Sequence, residues 1–179
     1  MFDTVLIAGL GLMGGSMAKT IKARTLSRVL GWNRTRATAE QALADGSIDA
    51  IATEALYKEA DLVIIGLYPQ ATVDWLLENM PKMKKGCVIV DMVGVKQFMV
   101  DHLEQAALDA GVHYVGGHPM AGREFSGLDF ALPTLFDGAS MIFVPTRSST
   151  ERVLEQLEAY FMSLGFGQTV RCTAQQHDH

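Results

Sequence analysis

The stretch Ile7-Ala-Gly-Leu-Gly-Leu-Met-Gly-Gly-Ser-Met-Ala18 continues an apolar run that starts at Thr4, and it carries four glycines. Fixing a glycine costs more chain entropy than fixing any other residue, so a backbone this bare at a strand end needs a reason. Gly9, Gly11 and Gly14 stand in the spacing G-x-G-x-x-G, with Leu12 and Met13 between the last two. Between a strand and a helix, that spacing suits a dinucleotide pyrophosphate. Gly9 permits the tight turn, Gly11 lets the phosphates approach the backbone, and Gly14 lets the helix pack on the strand. The free N–H groups and the positive end of the helix then meet the phosphate charge. A glycine-rich turn without a ligand is the plainer alternative.

Outward from this turn the chain alternates. Met13 to Ala23 has helical spacing, Arg28 to Trp32 reads as a second strand, and Thr35 to Asp45 as a second helix. Asp61 to Leu67 is nearly all apolar, as expected of a strand covered on both faces. Pro69 opens a helix where its missing N–H does no harm. Cys87 to Asp91 is another buried strand. Lys96 to Ala110 is helical and closed by Gly111. His113 to Gly116 and Met141 to Val144 are short strands, Glu151 to Leu164 an amphipathic helix ending at Gly165, and Gly167 to Cys172 a last strand. The alternation predicts an α/β fold of Rossmann type: a doubly wound, mostly parallel sheet with helices on both faces and right-handed crossovers.

Composition narrows the function. The 179 residues suit one well-cored domain. A hydrophobic content of 49% with 20% charged residues argues against disorder. The net charge of -5, with no Arg/Lys cluster, argues against nucleic acid as a partner. Apolar runs fall well short of the roughly 20 residues that span a bilayer, and the N-terminus lacks the pattern of a signal peptide. Cys87 and Cys172 lie far apart without metal-ligand spacing, and Cys87 reads as a small buried hydrophobe. A cytoplasmic protein with a small-molecule substrate and no metal is expected.

The end of the second strand should read the adenosine ribose, where NAD enzymes place an acid. Here it is Asn33-Arg34-Thr35, with Arg36 after it. Asn33 does not repel a 2′-phosphate, and Arg34 can pair with one, so NADP is favoured and NAD remains the alternative. Solvated arginines at a helix start are the plainer reading. Trp32 lies near the adenine side or packs in the core. Leu67, Tyr68 and Pro69, at the next strand end, should line the cofactor, as should Gly94 in the segment Asp91–Lys96. Lys96 is either a site cation or a surface lysine. The chemistry is expected in Gly116 to Gly127, where His118 follows a strand and precedes Pro119 on a loop. A neutral imidazole there can act as general base; a structural histidine in a turn is the alternative. His102, His113, His177 and His179 are weaker candidates, and the trio His177-Asp178-His179 lacks further ligands for a metal.

Taken together, Gly9 to Ser16, His118-Pro-Met-Ala-Gly122, Glu124 and Ser126-Gly127 resemble the prephenate/arogenate dehydrogenase family of tyrosine biosynthesis. Gln176-His177-Asp178 resembles the start of that family's next stretch. The resemblance implies NAD or NADP as oxidant and oxidative decarboxylation of prephenate or arogenate. It makes His118 the catalytic base for the ring hydroxyl and Ser126 a substrate-side candidate beside Lys96. Two departures stand out. Many members carry a serine where this chain has Gly94. The family also continues into a helical domain that holds dimer contacts and carboxylate-binding groups, whereas this chain stops at His179. The expectation is a cofactor domain over residues 1–171, with 172–179 beginning the helical domain. Another Rossmann dehydrogenase of the 6-phosphogluconate or hydroxyisobutyrate kind, or a non-catalytic nucleotide sensor, are the competing readings.

Overall fold

A computed structural model describes residues 2–179. Strand β1 (Thr4–Ala8) runs through the glycine turn into helix α1 (Leu12–Arg24). Then follow β2 (Arg28–Trp32), α2 (Arg36–Ala44), β3 (Ala50–Ile51), α3 (Glu54–Tyr57), β4 (Leu62–Ile65) and α4 (Pro69–Asn79). The rest holds β5 (Val88–Asp91), α5 (Gln97–Ala110), β6 (His113–Pro119), β7 (Ser140–Val144), α6 (Glu151–Ser163), β8 (Gln168–Arg171) and α7 (Ala174–Asp178). The described strands form one sheet in the order β3-β2-β1-β4-β5-β6-β7-β8. Neighbours pair in parallel except β6 with β7. The order reverses between β1 and β4, which opens a crevice at the C-terminal strand ends, above the glycine turn.

The apolar strands alternate between two cores. Val5 and Ile7 of β1, Leu62 and Ile64 of β4, and Val88 and Val90 of β5 pack under α1, α2 and α6. Leu6 and Ala8, Val63 and Ile65, and Ile89 pack under α3, α4 and α5. Both faces are therefore dry, which is why these strands are apolar apart from Thr4 at the start of β1 and Asp91 at the end of β5. Each fully buried Val, Leu or Ile contributes about 1.5–3 kcal/mol relative to exposure.

β1 and β2 form over the predicted residues, Pro69 is the first residue of α4, and Gly111 ends α5 with φ +71°. β3 and α3 were not foreseen; neither is long enough to show a hydrophobic period. The expected strand over Asp61–Leu67 is regular only across Leu62–Ile65.

The correction that matters is at β6, which runs past the expected end at Gly116 through His118 to Pro119. Gly116 and Gly117 suggest a break, but here they allow close approach. A Cβ on Gly117 would collide with the Asp91 carbonyl, and one on Gly116 would lie 2.9 Å from Lys96 Cδ. β6 pairs with β5 only as far as Val115, and from Gly116 onward it is held antiparallel to β7, with His118 opposite Ile142. His118 is thus carried by a strand and not by a loop.

Candidate active site

One wall of the crevice is the glycine turn. Gly9 adopts φ +95° and donates its N–H to Trp32 O (2.8 Å). A Cβ there would lie 2.6 Å from Gly66 O, and a Cβ on Gly14 would run into the Gly9 carbonyl. Gly11 is different: a Cβ would meet nothing within 4 Å. Gly11 is also the N-cap of α1 and leaves that helix without a side-chain cap. An open, uncapped helix N-terminus fits the phosphates of a dinucleotide. Leu12 and Met13 form the first turn beside it, half-buried.

Asn33 faces this turn. Its Oδ1 accepts from Leu10 N (2.9 Å), and its Nδ2 donates to Thr35 O (3.0 Å), so its amide fastens the loop. Arg34 is exposed and, among the described residues, has no carboxylate in ion-pair range, whereas Arg36 pairs with Glu40 at 3.4 Å. Thr35 precedes α2 and gives it no side-chain cap. Trp32 packs on Trp75, ring centroids 5.6 Å apart, beside a cavity of about 290 Å³ that Tyr57 also lines. At the end of β4, Leu67 and Pro69 are half-buried, and Tyr68 stands 88% exposed over the crevice.

The other wall is built on a buried polar cluster. Asp91 ends β5 with a side chain fully out of solvent, and it accepts from Tyr114 Oη (2.8 Å), Val93 N (3.0 Å), Gly117 N (3.3 Å) and Lys96 Nζ. Lys96 is likewise fully buried, so it is not a surface lysine; its ammonium is turned into Asp91 beneath the crevice. Burial pulls the Lys96 pKa down, against the opposing pull of Asp91, and pushes the Tyr114 phenol well up. The cluster ties the β5–α5 segment to β6. It thereby sets Gly94 against His118: a Cβ on Gly94 would lie 3.7 Å from His118 Nε2.

His118 is half-buried. Burial lowers its pKa from 6.5, the His177 and Lys96 charges lower it further, and Asp91 opposes them. The neutral imidazole is the form that can accept a proton.

Residues 172–179, expected to begin a further domain, form α7 and fold back on this wall. Asp178 accepts from Lys96 N and Gln97 N, both at 2.9 Å, and so caps α5 from another element. His177, ranked low from sequence, places Nε2 2.8 Å from His118 Nδ1, with its own imidazole only 5% exposed. A readable signal was present: Thr173-Ala-Gln-Gln176 is a capping box, with both reciprocal bonds made, which starts a helix and aims His177 inward. Ser126 is not brought to His118 by any hydrogen bond; with Glu124 it lies on the exposed segment between β6 and β7. His102 and His113 bond backbone carbonyls of Phe98 and Ser148.

A glycine turn at the sheet's switch point, an uncapped helix start and a half-buried histidine across the crevice define a Rossmann dinucleotide-binding oxidoreductase domain. The family model of the prephenate dehydrogenase nucleotide-binding domain matches residues 17–168, and the chain belongs to that family. Prephenate dehydrogenase of Bacillus subtilis is 37% identical over 162 residues, 88% of this chain and 43% of the relative. Arogenate dehydrogenase of Synechocystis superposes with a TM-score of 0.88 at 26% identity, over 98% of this chain and 61% of that one. Prephenate dehydrogenase of Aquifex aeolicus, solved with hydroxyphenyl propionate and NAD+, superposes with a TM-score of 0.89 at 25% identity, over 99% and 62%. The chain thus spans less than two thirds of these relatives.

Proposed function

We propose that this chain is the cofactor-binding part of a cytoplasmic NAD(P)-dependent dehydrogenase that oxidatively decarboxylates prephenate, or arogenate, in tyrosine biosynthesis. The observation that carries the reading is His118, half-buried with its pKa lowered by burial, set beside Gly94 on the wall of the crevice opposite the glycine turn. A nicotinamide dinucleotide bound there supplies the hydride acceptor. Gly9, Gly11 and Gly14, with Leu12 and Met13, cradle its phosphates, and Leu67, Tyr68, Pro69 and Gly94 line its path toward His118. The balance is simple. The ring hydroxyl proton goes to His118, the hydrogen on the same carbon leaves as hydride to the nicotinamide, and the resulting ring ketone loses its carboxylate as CO2; the electron pair of the broken C–C bond aromatises the ring and ends on the oxygen, which takes a proton back as the phenol. The protein's part is chiefly orientation of base and hydride acceptor.

NADP is favoured over NAD. No carboxylate stands at the end of β2, and the unpaired Arg34 suits a 2′-phosphate. The substrate's two carboxylates need cations. Lys96 is committed to Asp91, so on this reading Lys96 supports the site from below, and Ser126 remains a substrate-side candidate on its exposed loop. The carboxylate-binding groups then belong to the part of the relatives that this chain does not span, which by the family resemblance is a helical domain that also holds dimer contacts. The test is a titration of the chain with NADP and NAD, read by the fluorescence of Trp32 and Trp75, followed by addition of prephenate. Nucleotide binding, tighter for NADP, with slow formation of reduced nicotinamide is expected. Failure of both nucleotides to bind sinks the proposal.

A further inference from the structure

We infer that Asp178 and His177 fix the tautomer of His118, so that Nε2 of His118 is the atom that receives the proton. The argument begins at Asp178, whose carboxylate can only accept hydrogen bonds. It takes the Lys96 and Gln97 amides at 2.9 Å each and meets His177 Nδ1 at 2.8 Å. His177 Nδ1 must therefore carry a hydrogen. In a neutral ring the other nitrogen is then an acceptor. That nitrogen, His177 Nε2, stands 2.8 Å from His118 Nδ1. Two acceptors cannot share a hydrogen bond, so His118 Nδ1 carries the hydrogen and His118 Nε2 is left with its lone pair. This nitrogen faces Gly94 and the crevice.

The relay also meets the charge that follows. Once His118 is protonated, its Nδ1–H stays on His177, and the anionic Asp178 lies one ring away. Burial alone would raise the Asp178 carboxyl, but hydrogen bonds from His177 and the Gln97 and Lys96 amides hold it at about 2. The charged and titratable groups that face His118 are His177 from α7, Lys96 ahead of α5 and Asp91 at the end of β5. Asp91 is saturated by its own donors and does not reach the ring. His177 and Asp178 are thus positioning residues, acting through His118 as a carboxylate acts on a ligating or catalytic histidine.

The role of that proton rests on the proposed dehydrogenase function; the tautomer does not, and it is read without nucleotide or substrate. The experiment is two-dimensional 15N NMR of the chain labelled at its five histidines, at about pH 8 where imidazoles are neutral, with each ring assigned by substitution. His118 and His177 are both expected in the Nδ1–H form. In His177→Leu the Nε2–H signal of His118 should appear, and in His177→Gln, whose amide oxygen can accept, His118 should return to Nδ1–H. A wild-type His118 in the Nε2–H form overturns the inference, as does an unchanged signal in His177→Leu. Should that variant not fold, the wild-type spectrum and His177→Gln still decide. Absence of turnover with prephenate would bear on the proposed function and leave the tautomer result standing.

Discussion

Gly94 and His118 stand side by side on one wall of the crevice, with room between them for one added methyl carbon 3.7 Å from His118 Nε2. Nothing in the local backbone forbids a side chain at residue 94, since Gly94 is not among the positive-φ glycines. A hydroxyl at residue 94 would donate to the lone pair on Nε2 and stabilise the neutral ring. Gly94→Ser should therefore shift the His118 titration to lower pH, while changing stability by less than about 1 kcal/mol. NMR titration and a denaturant melt check both. An upward shift would mean that Nε2 already carries a hydrogen.

Two glycines of the same turn should fail in different ways. Gly14→Ala drives a methyl group into the Gly9 carbonyl, a rigid backbone contact, and should cost several kcal/mol or prevent folding. Gly11→Ala meets nothing and, at an N-cap, should cost only about 1 kcal/mol. It should nevertheless weaken nucleotide binding, because the added methyl projects into the space the phosphates need. Thermal melts paired with nucleotide titrations separate the two effects; normal binding by Gly11→Ala would remove the pyrophosphate from this turn.

Arg34 is the residue on which cofactor choice should turn. A charge-assisted pair with a 2′-phosphate contributes about 1.5–3 kcal/mol, toward the lower end at an exposed site. Arg34→Ala should lower NADP affinity roughly tenfold and leave NAD affinity within about twofold. Equal losses for both nucleotides would show that Arg34 holds something common to them.

The ion pair beneath the site is a structural commitment. Removing one member of a buried pair strands the other, at a cost of about 3–5 kcal/mol. Lys96→Met keeps the volume and leaves Asp91 with only Tyr114 and the Val93 and Gly117 amides as donors. A loss of this size is expected in a urea melt. A loss below about 1 kcal/mol would mean that the remaining donors satisfy Asp91 without the ammonium.

Stability should also depend on pH in two windows. His118 has its pKa lowered by folding from 6.5, so its contribution is present above 6.5 and is lost as pH falls through the lowered value. Asp178 is lowered from 3.8 to about 2, and its contribution fades between those values as the carboxylate protonates. Melts at about pH 8 and pH 5 should show wild type losing more stability than His118→Asn, whose side chain does not titrate. Equal slopes would contradict a neutral, partly desolvated His118.

The sequence alone determined the elements whose signal is local. The strand before Gly9, the spacing of Gly9, Gly11 and Gly14, Pro69 at the head of α4 and Gly111 at the end of α5 are each dictated by backbone sterics or by the doubled burial of a parallel strand, and all can be seen within a few residues. His118 was legible as a candidate for the same reason: a histidine between paired glycines and a proline is unusual chemistry in a short space. What the local pattern could not carry is who stands next to whom. Gly116 and Gly117 look like a strand's end, yet they exist because Asp91 and Lys96, far back in the chain, press against β6. Lys96 reads in sequence as either a site cation or a surface lysine, and only the fold shows it buried on Asp91. His177 looked like part of a tail, and only the folding of α7 onto α5 sets it 2.8 Å from His118. Hydrogen bonds act over about 3 Å in space whatever the separation along the chain, so the partners of a catalytic group are decided by tertiary packing.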